Sequence, residues 1–251
     1  MCGRYVSPDR AAIEREWHIG RDNAFPRLNE AFAENYNVAP TVKAPVVRVV
    51  RDQAGENQAG LMHWGLIAPW EKGVAGKYST INARIETFRT AASYRNAWKQ
   101  GQRCLVPLKG FYEWQAQAPD WQRTVPFFIS VVDQTIFALA GLWEISHKAD
   151  GTAVESFTVI TMPANPLMAD IHNSKKKGST RIVLPPEDRR MPAIVAQDHQ
   201  ETWLRGTIDE AFAVLKQYPA DLMFAVPVSA RVNSVKNNDA ELIQAVDIRL
   251  G

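Results

Sequence analysis

A cysteine stands directly after the initiating methionine in Met1-Cys2-Gly3-Arg4-Tyr5. A small side chain at this position permits methionine removal, which leaves a free α-amine and a thiol on one residue. Such a 1,2-aminothiol has a chemistry that no internal cysteine shares. Its amine, with an unperturbed pKa of about 7.7 to 8.0, is partly neutral near pH 7 and attacks an aldehyde to give a Schiff base; the thiolate then closes a five-membered thiazolidine ring. The competing reading is a small hydrophobe that starts a strand. Cys104, in Arg103-Cys104-Leu105-Val106-Pro107, reads as core. Two cysteines supply neither a disulfide framework nor a four-cysteine zinc site.

An aldehyde-trapping amine needs proton donors and acceptors, and three segments offer them. In Lys109-Gly110-Phe111-Tyr112-Glu113-Trp114, strand alternation puts Glu113 on the same face as Phe111 and sets Tyr112 and Trp114 on the other. A carboxylate beside apolar rings tends toward a raised pKa and serves as a general acid or base; the alternative is a solvated or ion-paired glutamate. His172 follows Pro163 to Ile171, which read as a short helix running into a loop, and an accessible loop histidine titrates near neutrality as a proton shuttle requires. Thr80-Ile81-Asn82-Ala83-Arg84-Ile85-Glu86 brings an amide for a carbonyl or sugar hydroxyl and a guanidinium for a phosphate, or else a structural Arg-Glu pair. No H-E-x-x-H or C-x-x-C pattern occurs, so neither a metal nor a cofactor is expected.

The elements that must position these groups are mostly strands. Gly3 to Ser7, Ala44 to Arg51, Leu61 to Ile67, Arg103 to Pro107, Gly110 to Gln115, Val125 to Val132, Thr135 to Trp143, Ser156 to Met162 and Met223 to Val228 are rich in β-branched and aromatic residues and bounded by Gly, Pro, Asp or Asn. Phe127 to Val132 and Ile136 to Leu142 flank Asp133-Gln134 as a hairpin would. Helices are predicted after Ser7-Pro8, over Glu86 to Lys99, and after the capping box Thr207-Ile208-Asp209-Glu210. Strands and helices do not alternate, so the expected fold is α+β with a mainly antiparallel, barrel-like sheet core and peripheral helices, in one domain spanning the chain.

Composition narrows the partners. The chain has 251 residues, 46% hydrophobic and 22% charged, which excludes disorder, collagen and coiled coil. Its 29 basic and 27 acidic residues give a formal charge of +2, too little to hold nucleic acid by bulk electrostatics. A polyanion must therefore meet a local basic patch. No run approaches the length of a membrane span and the start lacks the layout of a secretory signal, so a cytoplasmic protein without a membrane partner is expected.

Taken together, Met1 to Tyr5, Tyr36-Asn37-Val38-Ala39-Pro40, Trp64-Gly65-Leu66-Ile67-Ala68-Pro69-Trp70, Ile81 to Thr87, Gly110 to Trp114 and Ile171-His172 resemble, in order and over nearly the whole chain, the SRAP family, SOS-response-associated peptidase-like proteins that process abasic sites. The resemblance implies an SRAP fold and a monomer, nucleoid-associated when bound to DNA. It implies that Cys2, once exposed, crosslinks the ring-opened aldehyde of an abasic site in single-stranded DNA, with Glu113 as general acid/base, Asn82 holding the terminal residue and sugar in register, and His172 moving protons and helping reversal. It further implies DNA contact by Arg4, Asn37, Trp64, Ser79, Thr80, Arg84, Trp114 and Arg190; for Trp64 and Trp114 core packing is the alternative. Two other functions remain open: a thiol peptidase using the same residues, and a non-covalent single-strand-binding module in which Cys2 is inert. One departure stands out. The family commonly follows its histidine almost at once with Arg-Met-Pro, whereas here Asn173 to Arg189, with Lys175, Lys176 and Lys177, separates His172 from Arg190-Met191-Pro192. Either this is an inserted basic loop whose ends meet, or Asp188 falls at the histidine position; Asn165-Pro166-Leu167-Met168 resembles the family's lead-in and favours His172.

Overall fold

A computed structural model describes residues 3–20, 33–49, 55–76 and 78–247. In chain order its strands are β1 (Tyr5–Ser7), β2 (Asn35–Val38), β3 (Lys43–Val49), β4 (Asn57–Trp64), β5 (Asn82–Arg84), β6 (Arg103–Leu108), β7 (Gly110–Ala116), β8 (Thr124–Val131), β9 (Phe137–His147), β10 (Ala153–Pro163), β11 (Ser174–Lys177), β12 (Thr180–Val183), β13 (Arg190–Pro192), β14 (Ile194–Val195) and β15 (Met223–Pro227). The helices are α1 (Arg10–Glu16), α2 (Ala92–Lys99), α3 (Pro166–Ile171), α4 (Gln200–Arg205) and α5 (Ile208–Ala213). The fold is α+β and mainly antiparallel; β10 alone runs parallel to its neighbours β4 and β5.

Strands β10, β4, β3, β6 and β9 pair in that order, and β9 pairs back onto β10, closing a barrel. Closure explains why β6 can be buried along its whole length: both edges and both faces are covered. Val47, Leu105, Leu139, Phe157 and Val159 have no exposed surface there. At Gly141 of β9 the packing is so close that a Cβ would sit 2.8 Å from Cys104 Sγ and 2.9 Å from the Thr158 carbonyl oxygen. Cys104 is core, as its sequence predicts, and burial pushes its thiol pKa up.

A second sheet runs β15-β8-β7-β1-β2 and presents β7. Alternation on β7 follows the expectation: Phe111 joins the main core, while Tyr112 and Trp114 belong to a separate cluster with Val6, Phe128 and Val228.

Several local expectations need correction. The segments flanking Asp133-Gln134 do not form a hairpin: β8 pairs with β7 and β15, whereas β9 pairs with β6, β10 and β14. Asp133 adopts a left-handed φ of 58° there, and the chain passes from one sheet to the other. The first helix is capped by Asp9, whose carboxylate accepts from Ala12 N–H at 2.8 Å, rather than by Ser7. The Glu86 to Lys99 helix begins only at Ala92, after a run of turns. Thr207 and Glu210 do form the predicted capping box. The expected strand Ala44 to Arg51 ends partly outside the described residues.

Candidate active site

Glu113 lies on β7, buried, with one carboxylate oxygen accepting from Trp114 N–H at 3.1 Å. Beside it, β1 pairs with β7 in the register Tyr5 opposite Phe111, and the ladder continues as Tyr112 N–H donates to the Arg4 carbonyl at 2.9 Å. The ladder thus leads the chain back from Tyr5 toward Gly3 alongside the end of β7 that carries Glu113. Met1 and Cys2 lie outside the described residues.

His172 is brought to the same strand by a built dock. Asn165 caps α3 by accepting from Met168 N–H at 2.9 Å, and Pro166 fits the first turn, so the helix is short and sharply bounded. At its far end the Asn173 side chain forms a two-point pair with Ala116 of β7, accepting from its N–H at 2.9 Å and donating to its carbonyl at 3.0 Å. Gln115 Nε2 donates to the Asp170 carboxylate at 2.8 Å. These contacts hold His172 where the Glu113 charge acts on it.

His172 is not the accessible, near-neutral histidine expected. It is buried, and burial pulls its pKa down to about 4, with Arg190 and Arg189 pushing the same way and Glu113 opposing them. Its Nδ1 accepts from Arg190 N–H at 3.0 Å. The neutral ring therefore carries its proton on Nε2, and at pH 7 it is a fixed hydrogen-bond donor. His172 and Arg190 meet at the base of the long segment between them, while Asp188 sits exposed in a separate 3₁₀ turn.

Asn82 stands on β5, level with Val159 of β10, and its carbonyl accepts from Tyr94 Oη at 3.1 Å. Two bridges tie β5 to the Glu113 side. Arg190 makes a two-pronged ion pair with Glu86, at 2.5 and 2.9 Å, and donates to the Thr161 carbonyl at 2.8 Å. Trp64 donates from Nε1 to the Ile81 carbonyl at 3.0 Å and packs edge-on against Tyr5 of β1, ring centroids 5.1 Å apart.

Three residues expected to touch DNA have interior roles instead. Trp64 is wholly buried between Tyr5 and Phe157, so its faces are not open to a base. Asn37 is buried, accepting from Arg4 Nη1 at 2.7 Å and donating to the Ser234 and Asn237 carbonyls at 3.0 and 2.8 Å. Arg190 is occupied by Glu86 and Thr161. Arg4 is half-buried over the Trp114 ring, which burial reflects in a lowered pKa, and also donates to the Val232 carbonyl. Ser79 and Arg84 are exposed, Thr80 and Trp114 half-exposed, and Arg84 has no ion-pair partner among the described residues.

The model of the family described as SOS response associated peptidase (SRAP) matches residues 1–235. The chain belongs to the SRAP family. It is 35% identical over 250 residues to the abasic site processing protein YoaM of Bacillus subtilis, covering 98% of each chain. It is 30% identical to abasic site processing protein YedK of Escherichia coli over 98% of this chain and 100% of that one. A crystal structure of a Bacteroides thetaiotaomicron protein shares the fold, with TM-score 0.75 and 24% identity over 98% of this chain and 100% of that one. Within the SRAP motif from Trp64 to Trp70, the two indoles part company: Trp64 is core, whereas Trp70 is 56% exposed, and Tyr78 further along the same connection is 81% exposed. Among the described residues no helix is long and apolar enough to cross a membrane, and no three His, Cys, Asp or Glu side chains cluster as metal ligands would.

Proposed function

We propose that this chain recognises abasic sites in single-stranded DNA and captures them covalently through Cys2 after Met1 is removed. The observation that supports the reading is a buried Glu113 on β7, next to the strand that leads back to the N-terminus, with a tautomer-fixed His172 docked on the same strand through Asn173. Family membership and relatives named as abasic site processing proteins support it.

The α-amine of Cys2 adds to the C1′ aldehyde of the ring-opened sugar, forming a carbinolamine as nitrogen loses a proton. Loss of hydroxide as water gives the Schiff base. The sulfur then adds to the imine carbon and its proton passes to nitrogen, so the sum is aldehyde plus aminothiol giving thiazolidine plus one water. Glu113 takes the ammonium proton and returns it to the departing oxygen, a general acid/base task. His172, neutral at pH 7, donates Nε2–H to oxygen as charge develops, an electrophilic role rather than that of a titrating shuttle. Asn82 holds the sugar, while Ser79, Thr80, Arg84, Trp114, Trp70 and Tyr78 line the strand's approach, the exposed rings offering stacking platforms.

The test is an intact-mass measurement after incubation with a single-stranded oligonucleotide bearing one abasic site. The expected product has the mass of the chain without Met1 plus the oligonucleotide minus one water, and it is missing in Cys2→Ala. Processed protein that yields no adduct refutes covalent capture. Cleavage of unstructured peptides without adduct would instead favour the thiol peptidase.

A further inference from the structure

The segment between His172 and Arg190 is not a plain loop but a two-stranded ribbon, β11 paired with β12, joined to neither larger sheet. It turns at Lys177 to Thr180 through Gly178, whose φ is 62°. Lys176 stands directly opposite Arg181, while Lys175 and Lys177 share the other face with Ile182 and Thr180. Both faces are thus cationic. None of these four cations has a carboxylate within ion-pair distance among the described residues. Like charges directly opposed across a ladder destabilise it, so an unpaired Lys176–Arg181 couple is a cost that a bound anion removes.

The ribbon is also firmly mounted. Leu184 N–H donates to the Asn173 carbonyl at 2.7 Å, Arg181 Nη1 donates to Ser174 Oγ at 3.1 Å, and the Gln122 side chain accepts from Arg181 N–H at 2.9 Å and donates to its carbonyl at 3.1 Å. Ser174 is only two residues from His172, so the ribbon springs from the segment that carries the candidate site's imidazole.

We propose that the β11–β12 ribbon is a phosphate clamp for the DNA strand running out of the active site. Lys175 and Lys177 lie about 6.8 Å apart along one face, comparable with the step between phosphates of an extended strand. The idea rests on the proposed function for the identity of the anion. It adds a second zone of grip, away from the reacting sugar, in a chain whose overall charge is only +2.

Fluorescence anisotropy with an intact single-stranded oligonucleotide, free of abasic sites, tests the clamp apart from the chemistry. Neutralising three phosphate contacts is expected to weaken binding by roughly fourfold each at 0.15 M salt and to flatten the log Kd against log salt slope by about 2. The variant is Lys175→Gln/Lys176→Gln/Lys177→Gln, checked for an unchanged melting temperature, with a triple Lys→Arg variant expected to bind as the parent does. Unchanged affinity and slope in the Gln variant overturn the clamp, as does equal weakening in the Arg variant. If the Gln variant weakens as expected while the parent forms no adduct with abasic DNA, the clamp stands and the covalent reading falls.

Discussion

The closed barrel and the β7 sheet differ in where their buried polar groups lead. In the barrel, neighbouring strands satisfy one another's backbone and apolar side chains such as Val47, Leu105 and Leu139 fill the interior, while the same strands also bury Arg103, Glu144, Ser156 and Thr158. Along β7 and its neighbours, burial instead encloses Glu113, His172, Asn37 and Asn173, each fixed by hydrogen bonds. Polar groups in such positions cost stability unless partnered, and the partners here also fix direction: an imidazole tautomer, a carboxylate at a strand rim, the dock of α3.

That contrast can be broken by substitutions that should separate activity from stability. Glu113→Gln is expected to slow adduct formation by about 10²- to 10⁴-fold, followed by quenched denaturing gels, with little change in melting. A variant that reacts at the parent rate removes Glu113 from the chemistry. Trp64→Ala should behave oppositely, losing about 3 to 5 kcal/mol of stability in urea unfolding because a wholly buried indole leaves a cavity. A stable Trp64→Ala protein with weakened DNA binding would return Trp64 to the strand-contacting set.

The third test concerns pH. With a folded pKa of about 4 against an unfolded value near 6.5, His172 binds its proton more readily in the unfolded chain. Its contribution is therefore fully present above pH 6.5 and lost as pH falls toward 4, by up to about 3 kcal/mol. His172→Gln should flatten the stability profile across that window; parallel profiles would show that the imidazole stays protonated in the fold. The smallest effect is that of Arg84→Ala: a single exposed phosphate contact should reduce single-strand affinity about fourfold and the salt slope by about 0.7. No change in either would move the strand's path off β5.

Much of this division was legible in the sequence. Long strands with β-branched character, the Thr207–Glu210 capping box and the helix before His172 announce themselves through local chemistry. The alternation that separates Phe111 from Tyr112 is equally local. What stayed hidden depends on distant partners. Asp133 looks like a hairpin turn because its flanks are good strands, but which sheet each joins is set by pairing far along the chain. β2, β5 and β13 are short and owe their pairing to neighbours. His172 reads as accessible from its own segment, whereas the partner that fixes its ring, the Arg190 N–H, lies 18 positions downstream. Trp64 and Trp70 share one motif, and only the fold assigns one to each side of the surface.

The 3.0 Å contact between His172 and Arg190 makes the whole excursion between them a side branch. Its two ends are stitched together at the root, so a change of length at the outer turn, Lys177 to Thr180, is kept away from Glu113 and His172. That makes Gly178 at its tip, exposed and in a left-handed turn, the natural graft point for a reporter dye or an added recognition module.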